Sequence, residues 1–272
     1  IYYTMNLKNE EGKIEIKYID LCCGIGGFRI GINNFKLENT KYKFKCVYSV
    51  DIKDDALKTY NINFDEQLEK TDIYDIKELP EFNLLCCGFP CQPFSSAGNK
   101  MGFKDKRSGM IFKIFDICKD YKPKYILLEN VSNLLTLEKG EIINKIIEMF
   151  EEIGYNIIYK KLNSKYFGVP QSRERVYIIG TLANTDISFD NIKYSFGTNL
   201  QNVIDESEQY TDIDNNFADK ILKLHLKENL YGYKFQDKRG GNTNIHSWDI
   251  GYNGELSDNE RQLMNKLMTE RR

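Results

Sequence analysis

The chain has 272 residues, of which 41% are hydrophobic and 29% charged, and its formal net charge is −2. This composition is that of a globular protein with one large domain or one domain and a smaller lobe. No apolar run is long enough to cross a bilayer, and no signal-peptide pattern opens the chain. The odd number of cysteines, seven, argues against a disulfide scaffold, and the absence of a C-x-x-C pair, with only two histidines, argues against a zinc site. We therefore expect a cytoplasmic protein without a metal or a membrane partner.

Strand and helix patterns alternate along the first 182 residues. Apolar, β-branched runs predict strands at 14–21, 46–50, 84–87, 125–128 and 176–182. Helical spacing follows Phe28 and predicts further helices at 54–64, 110–121 and 142–150. This order predicts an α/β fold with a mostly parallel sheet and helices on both faces.

The pattern changes beyond residue 182. Residues 183–209 are irregular, and residues 236–254 are polar and rich in glycine, with predicted helices at 217–231 and 256–272. We therefore expect one domain at 14–182 and a small irregular C-terminal lobe at 183–272.

A glycine-rich turn follows the first strand, in the sequence DLCCGIGGF from Asp20 to Phe28. Such glycines let the backbone approach a ligand closely, and the start of the next helix offers N–H groups. Asp51 ends the second strand, where an acidic side chain can hold ribose hydroxyls. Alone, the pattern is a weak signal for an adenosine-containing cofactor, and a tight turn that serves packing is the alternative.

A cysteine lies between two prolines after the third strand, in the sequence GFPCQPFS from Gly88 to Ser95. Proline stiffens the chain, so the two prolines hold Cys91 in a loop. A cysteine nucleophile needs partial exposure and a positive or dipolar neighbourhood that favours the thiolate. A loop cysteine without chemistry is the alternative.

Two further motifs carry charged side chains, one after the fourth predicted strand and one before the last. Glu129 comes after the apolar run 125–128, where a protonated carboxyl can hydrogen-bond a heterocyclic ring nitrogen. Arg173 and Arg175 are two residues apart, so they share one face of an extended strand and can contact a phosphate or a base oxygen. A surface glutamate and a solvated charge cluster are the alternatives. Ligands bind at the carboxyl ends of the strands in such sheets, so we expect Gly24, Asp51, Cys91 and Glu129 to lie together at one edge of the sheet.

In this order, the four motifs resemble those of the bacterial cytosine-C5 DNA methyltransferases, from about Tyr18 to Gly180. The resemblance implies a Rossmann-like methyltransferase fold, a catalytic domain at 14–182 that uses S-adenosylmethionine, double-stranded DNA as the partner, and a restriction-modification setting. Cys22 departs from the family, which usually has an aromatic residue at that position.

The resemblance also assigns residues. Asp51 would bind the ribose, Ile52 would pack on the adenine, and Asp72 would accept from its amino group. The implied cofactor-binding set is Cys22, Gly24, Ile25, Gly26, Gly27, Asp51, Ile52, Asp72, Ile73, Pro90 and Ile111. The implied catalytic residues are Cys91, Glu129, Arg173 and Arg175, and the implied substrate-binding residues are Gln92, Ser95, Asn130 and Gln171.

The implied chemistry is covalent catalysis. Cys91 attacks C6 of a flipped-out cytosine, Glu129 hydrogen-bonds the ring nitrogen, and C5 then takes the methyl group before Cys91 is released. The loop at 94–107 would be the mobile element.

Two closing motifs of the family are not found, and residues 239–249 resemble only the start of a target-recognition region. Two explanations are open: the chain is truncated, or it is one subunit of a split enzyme that a second polypeptide completes. In either case the chain alone can be inactive. A tRNA-methylating relative and a non-catalytic DNA-binding homologue are the functional alternatives. The second predicts loss of Cys91 or Glu129, and both are present.

Overall fold

The computed structural model describes residues 14–35, 42–90, 109–182, 187–197, 199, 203, 215–228, 234–235, 244–246, 249 and 256–270. Cys91, Gln92 and Ser95 lie outside the described residues, as does the loop at 94–107. The chain divides into two compact units, residues 1–203 and 204–272. This division lies later than the predicted boundary near residue 183, because residues 194–196 pair with residues 166–168 of the first unit.

Six strands form one sheet in the order β2-β1-β3-β4-β6-β5. The four strands on one side pair in parallel, and β6 pairs antiparallel with both β4 and β5. The strands are β1 (Ile14–Leu21), β2 (Tyr42–Val50), β3 (Leu84–Gly88), β4 (Tyr125–Val131), β5 (Asn156–Asn163) and β6 (Glu174–Thr181).

Helices cover both faces of this sheet. The helices of the first unit are α1 (Gly27–Asn33), α2 (Asp54–Phe64), α3 (Gly109–Tyr121) and α4 (Glu141–Glu152). Buried residues of α3 and α4 pack with Leu21, Leu85 and Leu128 in the main core, whereas Tyr60 of α2 belongs to a second cluster with Cys23. The second cluster packs α2 against Cys23 of the turn that follows β1.

The predicted fold class is confirmed, with local corrections. The fourth strand extends to Val131, so Glu129 lies inside a strand and does not follow it. The last predicted strand begins at Glu174, so Arg175 also lies within β6. Strand β5 was missed, because its sequence NIIYKKLN is that of an edge strand with polar residues on its exposed side.

In the second unit, the described elements are two helices and a short strand pair. The helices are α5 (Asn215–Glu228) and α6 (Asp258–Glu270), and the parallel pair is β7 (Lys234–Phe235) with β8 (Asn244–Ile245). Within the described part of the chain, no helix has the length and apolar character that a bilayer crossing requires.

Asp20 is fully buried in β1, between Ser49 of β2 and Cys86 of β3 in the register of the sheet. Neither of its carboxyl oxygens has a hydrogen-bond partner among the described residues. Burial raises its pKa from 3.8 to about 7; Arg29 opposes this rise and Asp51 adds to it.

This burial predicts a stability that falls as pH rises. Between about pH 4 and pH 7 the unfolded chain has released the proton of Asp20 while the folded chain still holds it, so the free energy of unfolding decreases through this window. The decrease is at most on the order of 4–5 kcal/mol over the whole window, at about 1.4 kcal/mol per pKa unit. Urea unfolding of the wild type and of Asp20→Asn at pH 5 and pH 8 measures it: Asp20→Asn removes this pH dependence. Glu152→Gln changes an exposed carboxylate of α4 and should keep the wild-type pH profile.

Candidate active site

The described site residues lie at one edge of the sheet, which is formed by the carboxyl ends of the parallel strands and by the amino end of the antiparallel strand β6. Moving across the sheet, β1 ends at the glycine-rich turn, β3 leads into the Cys91 segment, β4 carries Glu129 and β6 carries Arg175. Adjacent strands are about 4.8 Å apart, so the β3 end lies between the predicted cofactor side and the predicted base side.

Backbone hydrogen bonds join the glycine-rich turn to Asp51. The Gly24 N–H donates to Asp51 Oδ2 at 2.8 Å, and the Lys53 N–H donates to Asp51 Oδ1 at 2.9 Å. Gly24 itself has a φ of +55°, and a Cβ added there would meet no atom within 4 Å. The turn and the carboxylate therefore border an open space.

The segment around Asp72 is brought to the same place. The Thr71 N–H donates to the Asp51 carbonyl oxygen at 3.0 Å, which fixes the next two residues, Asp72 and Ile73, beside the end of β2. Asp72 Oδ1 accepts from the Tyr74 N–H at 3.1 Å, and Ile73 is buried. Ile52 is 47% exposed, so an apolar surface is present at this edge for a flat ring.

The start of α3 closes the other side of the turn. Cys22 Sγ lies 3.4 Å from Met110 Sδ, and Ile111 is buried in the adjacent core. Cys22 has a φ of +56° although it is not glycine. The sulfur contact with Met110 joins the turn to the start of α3.

Gly26 is the glycine of the turn that the packing requires. Its φ is +90°, and an added Cβ would overlap the Phe64 ring and lie 3.2 Å from Tyr60. The other predicted cofactor contacts of the turn, Ile25 and Gly27, are exposed.

We therefore expect Gly26→Ala to displace the turn from α2 and to weaken cofactor binding by at least tenfold, because both the left-handed backbone and the Phe64 contact oppose a side chain. Calorimetric titration with S-adenosylhomocysteine measures this change. Gly31→Ala is the matched control, since a Cβ there meets nothing within 4 Å and alanine favours the helix. Equal affinity in Gly26→Ala and wild type would contradict the prediction.

The end of β3 lies directly against Glu129. Gly88 pairs with Glu129 in the sheet register, and a Cβ added at Gly88 would lie 3.5 Å from Glu129 Oε2. Buried Asn130 donates from Nδ2 to the Phe89 carbonyl oxygen at 2.9 Å, and its Oδ1 accepts from the Val131 N–H. Asn130 thus holds the residue before Pro90, which is exposed. The contact of Asn130 with the substrate stays a prediction.

Glu129 and Arg175 form a partly buried ion pair. Arg175 Nε lies 2.7 Å from Glu129 Oε1, and the two side chains are 18% and 24% exposed. The two residues line a cavity of about 220 Å³, named the base pocket for its proposed role, together with Leu162, Ser164, Phe167, Arg173 and Tyr177. Glu129 Oε2 faces the β3 side, so the pair presents one carboxyl oxygen toward the segment that leads to Cys91.

Arg173 is placed by the connection between β5 and β6. Its N–H donates to Asn163 Oδ1 at 3.2 Å, and its carbonyl oxygen accepts from the Ser164 N–H at 3.1 Å. Ser164 Oγ donates to the carbonyl oxygen of Gln171, which is exposed. These contacts close the connection at its base and direct Arg173 to the rim of the pocket.

Sequence reasoning missed Tyr177, Phe167 and Leu162 as pocket residues. Tyr177 pairs with Glu129 in the register of β4 and β6, and its pKa is raised by burial and by the charge of Glu129. The alternation that joined Arg173 to Arg175 would have found Tyr177 two residues further on. Phe167 and Leu162 had no such signal, because their positions depend on the undetected β5.

A model of the family described as C-5 cytosine-specific DNA methylase matches residues 16–270. The chain belongs to this family. The match includes the region beyond residue 182, which the four motifs did not reach.

Curated relatives agree with this family. The chain is 39% identical to the type II methyltransferase M.BanI of Aneurinibacillus aneurinilyticus, over 95% of this chain and 64% of that protein. It is 38% identical to M.NlaIV of Neisseria lactamica, over 95% of this chain and 62% of that protein. The chain thus spans less than two thirds of the length of these relatives. The matches give no support to a second polypeptide.

Solved structures show the same fold. A DNMT2 mutant from Spodoptera frugiperda superposes with a TM-score of 0.58 and 24% identity, over 76% of this chain and 65% of that one. The Dnmt2 methyltransferase of S. pombe superposes with a TM-score of 0.54 and 21% identity, over 93% of this chain and 81% of that one.

Proposed function

We propose that this methylase-family chain transfers a methyl group from S-adenosylmethionine to C5 of a flipped-out cytosine in double-stranded DNA, within a restriction-modification system. The observation that carries the proposal is the Glu129–Arg175 pair, which lies against Gly88 at the end of the strand that leads to Cys91. The relatives named as type II methyltransferases support the restriction-modification setting.

The residues beside the glycine-rich turn fit the cofactor. Asp51 offers carboxylate oxygens for ribose hydroxyls, Asp72 offers an acceptor for the adenine amino group, and Ile52 offers an exposed apolar surface. When bound, the cofactor supplies a methyl group on a sulfonium. The turn and the start of α3 would hold the cofactor.

The protein's own chemistry would be nucleophilic and acid–base. The Cys91 thiolate forms a bond to C6 of cytosine, and Glu129 hydrogen-bonds the ring nitrogen so that the electron pair gathers at C5. C5 takes the methyl group; water or a general base then accepts the C5 proton, the electron pair of that C–H bond restores the C5–C6 double bond, and Cys91 leaves as a thiolate. Arg175 orients Glu129 through Oε1, and Arg173 at the rim is placed to contact the base or its phosphate.

Flipping exposes the target atom, which a duplex hides, at a cost of a few kcal/mol. The base pocket, of about 220 Å³, joins apolar Leu162 and Phe167 to the charged pair. Apolar walls and a few fixed polar groups are the usual construction of a site that orients a small ligand.

The test is methyl transfer by the chain itself. Labelled S-adenosylmethionine is incubated with unmodified DNA that contains every short sequence, and with tRNA, and the nucleosides are analysed by mass spectrometry. The proposal expects 5-methylcytosine in duplex DNA. Label in tRNA alone would favour the RNA-modifying relative, and label on another atom, or no product with any substrate, would contradict the proposal for this chain.

A further inference from the structure

Four exposed aromatic side chains form a cluster beside the base pocket, the aromatic patch: Tyr166, Phe167, Tyr194 and Phe196. Their ring centroids lie 5.4–6.4 Å apart in neighbouring pairs. Phe196 is 69% exposed and Tyr194 46% exposed. So many large rings together at a surface are typical of a binding site.

The backbone holds this patch in place. The Ser195 N–H donates to the Tyr166 carbonyl oxygen at 2.8 Å, and the Gly168 N–H donates to the Ser195 carbonyl oxygen at 3.1 Å. The two segments that carry the rings are therefore joined as a short parallel bridge. A preformed surface of this kind loses little conformational entropy when a ligand binds.

The surroundings of the aromatic patch are basic, although the whole chain is acidic. Residues 160–175 and 187–197 contain six Lys and Arg against two Asp and Glu, and Glu129, the partner of Arg175, reduces the local charge from +4 to +3 in a chain of net charge −2. Lys165 Nζ lies 4.7 Å from the Tyr166 ring centroid, and Lys161 pairs with Glu174 at 3.2 Å. A local positive charge favours the binding of a ligand that carries phosphates.

The aromatic patch is continuous with the base pocket. Phe167 lines the base pocket and its ring contacts Tyr194 at 5.6 Å. Leu162 lines both the base pocket and an adjacent groove of about 300 Å³, whose other walls include Tyr166, Tyr194 and Phe196. A strand with one base in the pocket therefore has neighbouring nucleotides close to these rings.

We propose that the aromatic patch binds an unpaired nucleotide of the DNA strand that carries the target cytosine. The base stacks on Tyr194 and Phe196, and a phosphate lies near Lys165. Extrusion of the target leaves its strand locally unstacked, and an aromatic ring accepts the face of any base, so the contact stabilises the opened strand without reading its sequence. The inference rests on the proposed function, because the pocket defines which strand is opened.

The test uses DNA that cannot be methylated. Two fluorescent probes are compared by anisotropy at one fixed salt concentration: an A·T duplex without cytosine, and the same duplex with two unpaired thymines. We expect the wild-type chain to bind the second probe about tenfold more tightly, and Tyr194→Ala with Phe196→Ala to lose that preference. Tyr194→Phe should keep it, because the ring supplies the contact.

Phe35→Ala is the matched control. Phe35 is 55% exposed and contacts Phe44 of β2, at the opposite edge of the sheet from β5, so the preference should persist. Circular dichroism and thermal unfolding establish that each variant is folded.

Equal binding of both probes by the wild type, or an unchanged preference in the double variant, would overturn the inference. So would a self-association, seen by sedimentation, that the double variant abolishes. Because the probes contain no cytosine, patch-dependent binding without methyl transfer would count against the proposed function alone. Methyl transfer without patch-dependent binding would count against the aromatic patch alone.

Discussion

Cys91→Ala is expected to reduce methyl transfer to cytosine below detection while leaving cofactor affinity within about twofold of wild type. In the proposed mechanism no other group replaces the nucleophile that forms a bond to C6, whereas the predicted cofactor contacts other than Pro90 lie in the turns after β1 and β2, at Asp72 and Ile73, and on α3. Methyl incorporation and calorimetric titration with S-adenosylhomocysteine measure the two properties. Cys91→Ser should behave in the same way, because a hydroxyl is far less ionised than a thiol.

Cys46→Ser is the matched control for this experiment. Cys46 is partly buried on β2, where its Sγ contacts Ser49 Oγ at 3.1 Å, two strands away from β3. Its substitution should leave the rate of methyl transfer near that of wild type. Turnover by Cys91→Ala at the wild-type rate would refute the covalent mechanism.

A 5-fluorocytosine duplex tests the same residue without a substitution. Fluorine replaces the C5 proton that must leave, so the bond between Cys91 and C6 should persist after the methyl group has been transferred. Mass spectrometry of the digested protein then locates the adduct. An adduct on any cysteine other than Cys91 would refute the assignment.

The sequence predicted the parts of the site that depend on local patterns. Apolar runs followed by glycine or acid located β1, β2 and β3, and the rule for strand ends brought Gly24, Asp51 and Glu129 to one edge. Gly24 and Asp51 are joined by a hydrogen bond, and Glu129 lies beside the end of β3, because parallel strands carry their ends to the same side of the sheet.

The missed features depend on long-range pairing. The antiparallel insertion of β6 between β4 and β5 gives Glu129 its neighbours Arg175 and Tyr177, and no local pattern encodes that register. The same insertion places Leu162 in the base pocket. The arginines were recognised as a motif, but the partner of Arg175 emerged only from the strand order.

The carboxyl of Glu129 has the second large predicted effect. Glu129→Gln keeps the shape of the side chain but cannot give a proton to the ring nitrogen, so the rate of the chemical step should fall by about 10²- to 10⁴-fold. The affinity for DNA and for the cofactor should change by much less, because the amide still fits between Gly88 and Arg175. Single-turnover methyl transfer with saturating DNA separates the chemical step from binding.

Arg175 should act through Glu129. Arg175→Ala removes the 2.7 Å contact to Oε1 and leaves the carboxyl without its anchor, so we expect a slower chemical step in this variant as well. Because both residues serve one pair, the double variant should be little slower than Glu129→Gln alone. Glu81→Gln is the matched control, since Glu81 pairs with Lys17 at 3.2 Å on an exposed surface before β3 and should leave the rate unchanged. Fully additive losses in the double variant would show that Arg175 contributes independently of Glu129, and a wild-type rate in Glu129→Gln would exclude proton donation by this residue.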